Sequence, residues 1–304
     1  MPILTKTSYS ELLTRSNVVA NNLIKLMDVS VVESRFSEYQ QLLKSLSTAW
    51  ENNQIRDFTK RYPKRITLFA LKELKEIIII CEEIFDKSDK YSLRYKNDLK
   101  IKLKTILGGP FYTFKETSKN SNARNIQFEL RIATTCSKTG LTTKIGELPD
   151  VTVEVDDRKY FIECKRIIGK SERTIFNNLD NALNQINNNP VEYYSGIICL
   201  DVSPQFDNGN LILKKNNVVT AEKFVLDQLE KYVFYIYKRS EKLKKLATKK
   251  KIGMLWLNFS GVYEVQDGFG WINENGLLVL NKENKLQSEQ ILKDFSVLNV
   301  NNFD

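Results

Sequence analysis

Residues 149–165 constrain the fold more tightly than any other segment. Val151-Thr152-Val153-Glu154-Val155 and Lys159-Tyr160-Phe161-Ile162-Glu163-Cys164-Lys165 are alternating runs joined by a short polar link, Asp156-Asp157. Alternation of period two sends successive side chains to opposite faces of a strand, and two such runs across a two-residue link predict an antiparallel hairpin. With Asp156 and Asp157 as the loop, Val155 faces Arg158, and each step outward pairs the next two residues until Asp150 faces Glu163. Directly facing residues hold their Cβ atoms about 4.5–5.5 Å apart. Val151, Val153, Val155, Tyr160, Ile162 and Cys164 then share one apolar face that packs inward, while Asp150, Thr152, Glu154, Phe161, Glu163 and Lys165 share the other. The pairing gathers two carboxylates and an ammonium at one end of that second face.

The flanking segments follow a different period. Residues 9–50 repeat apolar positions at helical spacing (Leu12, Val18, Val19, Leu23, Leu26, Met27), residues 65–86 do so more densely, and 91–107 form a shorter basic helix. Gly108-Gly109-Pro110 and the polar stretch 115–122 interrupt this pattern. The expected boundary separates a helical domain, 1–107, from a mixed α/β domain, 111–304. The second domain is predicted to hold a helix at 123–136, strands near 141–147, 149–155 and 159–166, and a helix at 171–188. A buried strand at 195–202, a long helix at about 219–247 and an apolar strand at 252–259 follow. The tail reads as one hairpin and a short amphipathic piece. In the 123–136 helix, Ile126, Leu130 and Ala133 make an apolar stripe with Glu129 beside it. An inward acid needs a partner, which a metal or Lys165 would provide; the alternative is a capped or salt-bridged surface residue.

Composition narrows the chemistry. The chain of 304 residues has no histidine, which removes Ser-His-Asp and Cys-His hydrolysis, H-E-x-x-H metalloproteases and Cys₂His₂ zinc sites. Catalysis must run on carboxylates, amines, hydroxyls, thiols or a metal held by oxygens. Cys81, Cys136, Cys164 and Cys199 lie among apolar residues without C-x-x-C spacing and read as buried thiols in a reducing compartment. Residues 1–6 lack the pattern of a signal peptide. The run Ile77-Ile78-Ile79-Ile80-Cys81 is too short and too closely flanked by charge to span a bilayer, so a buried helix and a cytoplasmic protein are expected. The net charge of +9 points to a polyanionic partner. Its basic residues cluster at Lys60, Arg61, Lys64 and Arg65, across 90–104, and across 238–251, where eight basic residues, among them Lys242, Lys245, Lys249 and Lys250, meet one acid, Glu241.

Two facing carboxylates raise each other's pKa unless a cation sits between them, and hard oxygen ligands suit Mg²⁺ or Mn²⁺. Lys165 stands where it could orient or deprotonate a water, or steady a phosphoryl oxygen. Glu129, then Pro149-Asp150, then Glu163-Cys164-Lys165, on helix, strand and strand in that order, resemble the PD-(D/E)xK nuclease superfamily over residues 120–202. The resemblance implies a restriction-endonuclease-like α-β-β-β-α-β core with a mixed sheet behind an all-α N-terminal domain. It implies Asp150 and Glu163 as metal ligands, helped by the backbone carbonyl of Cys164, with Glu129 as a further ligand and Lys165 acting on the attacking water. Branches similar to RecB-type nucleases carry Gln and Tyr four residues apart on the next helix; Gln185 sits on that helix, with Asn189 in the second position. Lys170 and Arg173, where that helix starts, are candidate phosphate contacts, Glu147 a candidate accessory acid, and Glu154 a solvated one.

The function expected from this set is a Mg²⁺-dependent DNA endonuclease of restriction or anti-phage defence, with RNA left open as a substrate. The N-terminal helices would recognise DNA, form a homodimer or bind a partner protein. The alternatives are a non-catalytic nucleic-acid-binding or assembly subunit on the same fold, and a nuclease of repair, transposition or junction resolution.

Overall fold

The computed structural model describes residues 8–88, 91–117, 119–146, 149–206, 212–249, 251–265, 268–280 and 285–299. The chain divides into two compact units, Met1–Thr134 and Thr135–Phe303. The first is helical: α1 (Tyr9–Met27), α2 (Arg35–Glu51), α3 (Ile55–Arg61), α4 (Lys64–Asp86), α5 (Leu93–Leu107) and most of α6 (Asn122–Lys138). Serine caps set the starts of α1, α2 and α5: Ser8, Ser34 and Ser92 accept from the backbone N–H groups of Glu11, Ser37 and Tyr95. Each cap satisfies an amide that the helix itself leaves unpaired.

The run Ile77-Ile78-Ile79-Ile80-Cys81 lies buried in α4, as expected. No helix among the described residues is long and apolar enough to cross a membrane. Lys72, Glu73, Lys75 and Glu76 of α4 are buried too, so their charges must be matched inside the unit. Glu73 accepts from Arg35 Nη1 and Arg124 Nε, both at 3.0 Å. Glu76 accepts from Gln127 Nε2 at 2.9 Å and pairs with Arg131 at 3.2 Å. These contacts tie residues 122–134 of α6 to α4. The division of the chain therefore falls inside α6, at Thr134/Thr135, and not at the Gly108-Gly109-Pro110 breaker.

The second unit is built on a seven-stranded mixed sheet: β1 (Thr142–Ile145), β2 (Val151–Val155), β3 (Arg158–Arg166), β4 (Ser195–Asp201), β5 (Ile212–Lys214), β6 (Ile252–Val265) and β7 (Gly268–Val279). β1–β2, β2–β3 and β6–β7 are antiparallel, whereas β3–β4, β4–β6 and β5–β6 are parallel. β4 and β5 share one edge of β6, and β7 lies along the other. The expected 252–259 strand extends to Val265 and is itself the first arm of the tail hairpin.

Helix α7 (Glu172–Asn187) packs on β3 and β4, α8 (Val218–Arg239) on β6 and β7, and α9 (Glu241–Thr248) against α7 and α8. Ile175, Leu179 and Leu183 of α7 meet Ile198 and Leu200 of β4 and Leu229 of α8 in one apolar core. The single helix expected over 219–247 is two, because Ser240 leaves helical geometry and its side chain accepts from the Leu243 N–H to start α9. Helix α10 (Lys285–Phe295) is held to β3 by Asp294, which accepts from Arg158 Nε at 2.8 Å and Tyr160 OH at 2.5 Å. All four cysteines are buried free thiols.

Removing one partner from a buried ion network leaves uncompensated charge. Glu73→Ala strands Arg35 and Arg124 and is expected to lower unfolding stability by about 3–5 kcal/mol in urea titration. Asp57→Ala, which breaks an exposed pair with Lys60, is expected to cost under about 1 kcal/mol.

Candidate active site

The register of the hairpin places the site. β2 and β3 pair Val155 with Arg158, Glu154 with Lys159, Val153 with Tyr160, Thr152 with Phe161 and Val151 with Ile162, which is the expected register. The turn lacks glycine, and Asp156 takes up the strained position at φ 50°. Aspartate tolerates this region better than most residues, and here Arg158 Nη2 donates to its carboxylate at 2.9 Å.

Asp150 stands just before β2. Its backbone carbonyl accepts from the Gly146 N–H at 3.1 Å, and its Oδ2 accepts from the Cys164 N–H at 2.8 Å. The side chain of Asp150 is thereby fixed to β3, beside Glu163. Lys165 Nζ donates to Glu163 Oε1 at 2.6 Å and lies 3.8 Å from Asp150 Oδ2. The other oxygen of Glu163, Oε2, is buried, and the Glu163 and Asp150 carboxyl groups lie within hydrogen-bonding reach of each other when one carries a proton.

Both faces of β3 are covered, which alternation along the hairpin did not anticipate. Glu163 pairs with Ile198 and Lys165 with Leu200 on the parallel neighbour β4, so the acid and amine share the sheet face that packs under α7. A strand paired in parallel inside a sheet carries crossover helices and loses its solvent face. Glu163 is accordingly 1% exposed and Asp150 8%. Burial, followed by the negative charge of Asp150, pushes the Glu163 carboxyl up to about 7, with Lys165 opposing. Burial works against the Lys165 ammonium, but the charges of Asp150 and Glu163 outweigh it and raise its pKa.

These residues fit a hard divalent cation. Asp150 and Glu163 share one ammonium, Lys165, and the near-neutral titration of Glu163 sets the net charge of the three groups. Among the described residues no group of three or more Cys, Asp or Glu side chains is placed to hold a metal. Mg²⁺ keeps several waters and is commonly bound by one or two carboxylates, and Asp150 and Glu163 are the two this site could offer.

The remaining expected residues are placed as follows. Cys164 contributes its N–H to Asp150, while its thiol is buried. Glu129 belongs to the helical unit, where it accepts from Lys102 Nζ at 2.7 Å. Lys102 comes from the 90–104 basic cluster, and Lys100 of the same cluster pairs with Asp28. That cluster therefore spends part of its charge inside the unit. Lys170 and Arg173 are exposed at the start of α7, and Gln185 is half-buried near its end. Lys242 is drawn onto α7, donating to Asn184 Oδ1 at 2.7 Å with Asp180 at 3.9 Å. Lys245 and Lys249 are exposed on or just after α9; Lys250 and Glu147 lie outside the described residues. Glu154 pairs with Lys144 at 3.1 Å and stays part-exposed on the surface.

A polar cluster on the opposite sheet face was missed. Arg166 Nε donates to Asp201 Oδ2 at 2.9 Å, the Ser203 N–H donates to Asp201 Oδ1 at 3.0 Å, and Asn258 Nδ2 donates to Asn275 Oδ1 at 2.9 Å. An aspartate closing the otherwise apolar run Ile197-Ile198-Cys199-Leu200 was the signal available for it. No known protein family, curated protein or solved structure matches this chain.

The raised Glu163 pKa makes stability depend on pH. The folded state binds this proton more tightly than the unfolded chain, so the contribution is present below about pH 4.5 and lost as pH rises through about 7. Glu163→Gln is expected to flatten the stability profile across that window and to stabilise the fold above pH 7 by on the order of 2 kcal/mol. Urea unfolding of both proteins from pH 5 to 8 checks this; parallel profiles would show that Glu163 is not held protonated.

Proposed function

We propose that the protein is a divalent-metal-dependent DNA endonuclease of the PD-(D/E)xK type. The observation that carries this reading is the pairing of Asp150 with Glu163, with Lys165 bridging the two acids. The order along the chain supports it: α6, β1, β2, β3, α7, β4, with Asp150 opening β2 and Glu163, Cys164 and Lys165 on β3. That order supports reading these elements as the α-β-β-β-α-β core which the resemblance implies.

Asp150 and Glu163 would hold Mg²⁺ or Mn²⁺. The cation supplies Lewis acidity toward the phosphoryl group and lowers the pKa of water. Asp150 is kept in place by the Cys164 N–H, so its carboxylate needs little reorganisation when charge arrives. Lys165 keeps its proton between the two acids, which suits it to steady a phosphoryl oxygen or orient the attacking water. Exposed Lys170, Arg173, Lys245 and Lys249 offer sequence-independent contacts to phosphates, which makes affinity fall steeply with salt. Restriction or anti-phage defence is the role that fits the resemblance. Repair, transposition and junction resolution share the chemistry and differ in the form of DNA cut.

One observation favours the second reading, a non-catalytic nucleic-acid-binding subunit: the Lys165 ammonium already neutralises part of the acid pair. Cleavage of plasmid and of nicked, branched and single-stranded DNA with Mg²⁺ or Mn²⁺ separates the two. Asp150→Ala and Lys165→Ala, with unchanged circular dichroism, are each expected to lower the cleavage rate by about 100-fold or more. Variants that cleave like the parent contradict the site assignment. A parent that binds DNA but cuts no form of it favours the second reading.

A further inference from the structure

The outer side of α8 carries a stripe that nothing in the second unit covers. Val219, Leu226 and Phe234 are 64%, 43% and 40% exposed. Lys223 and Glu230 are also exposed, and neither forms an ion pair among the described residues. The spacings 219, 223, 226, 230 and 234 keep all five residues on one helical face, about 23 Å long at 1.5 Å per residue. That face is distinct from the Val225, Leu229, Val233 and Ile236 side, which packs on the sheet.

The stripe is self-complementary. Laid antiparallel on a second α8 about a two-fold axis beside Leu226, Lys223 faces Glu230 of the second copy, Val219 faces its Phe234, and the two Leu226 side chains meet near the axis. A two-fold interface requires this reciprocity, in which residue i meets j and j meets i. Lys223 and Glu230 stand three and four positions to either side of Leu226, so the two-fold axis that pairs them falls just past that leucine.

We infer that α8 is a homodimerisation surface, joining two copies of this chain antiparallel through Val219, Lys223, Leu226, Glu230 and Phe234. The inference stands apart from the chemistry assigned to the hairpin, and it moves dimerisation from the N-terminal helices to the second unit. One helix pair is a small contact beside the about 1,200–2,000 Å² of a stable interface, so a weak, concentration-dependent dimer is expected. If the hairpin site cuts DNA, each dimer carries two such sites.

Sedimentation velocity of the full chain over a concentration series tests the inference. The parent is expected to shift reversibly from monomer to dimer. Leu226→Asp, Lys223→Glu alone and Glu230→Lys alone are each expected to weaken dimerisation tenfold or more, because the single charge reversals put like charges opposite each other twice per dimer. An equimolar mixture of Lys223→Glu and Glu230→Lys chains is expected to recover the dimer, since every cross-pair then has opposite signs, and so is the double variant carrying both changes. Circular dichroism of each variant guards against loss of fold. A parent that stays monomeric overturns the inference and leaves the stripe to a different protein. A dimer that is indifferent to these charges, or a mixture that does not recover it, overturns it equally. None of these outcomes depends on whether the hairpin site cleaves DNA.

Discussion

The register between β2 and β3 is the constraint on which the candidate site rests. A slip of one residue would send Glu163 and Lys165 to the opposite face and part Glu163 from Asp150. Three features hold the register. The Asp156-Asp157 turn is secured by Arg158, Val151 and Val153 are fully buried on their face, and the Cys164 N–H grips the Asp150 carboxylate. The parallel pairing of β3 with β4 then brings α7 over the same face, and that cover turns a surface charge cluster into a buried one.

Burial affects the acids of the two units differently. Glu73 and Glu76 in the helical unit are surrounded by Arg35, Arg124, Gln127 and Arg131, and such matched networks rigidify a core. Glu163 has one ammonium and a neighbouring carboxylate beside it. A buried pair short of positive charge is costly to maintain and is the kind of arrangement that functional sites keep. The pKa of Glu163, near neutrality, follows from the same imbalance.

Much of this was legible in the sequence, for local reasons. Alternation with a two-residue polar link fixed the hairpin register, helical periodicity located α4 and α7, and the scattered cysteines read correctly as buried thiols. What was not legible depends on long-range pairing. Lys102 and Glu129 are 27 residues apart on different helices, and no periodic pattern joins them. Arg124 and Arg131 are buried by acids some fifty positions earlier, so their charge gave no hint that α6 belongs largely with the helical unit. The cover over Glu163 depends on where α7 docks, which alternation along β3 does not encode. Strand β5 is three residues long and leaves almost no pattern.

The central claim is that Asp150 and Glu163 form a cation site, and calorimetric titration of the full chain with Mn²⁺ tests it most directly. The account predicts saturable binding in the parent, lost in both Asp150→Asn and Glu163→Gln, which keep side-chain shape while removing charge. Equal binding by the parent and both variants, or no binding by the parent, would contradict it.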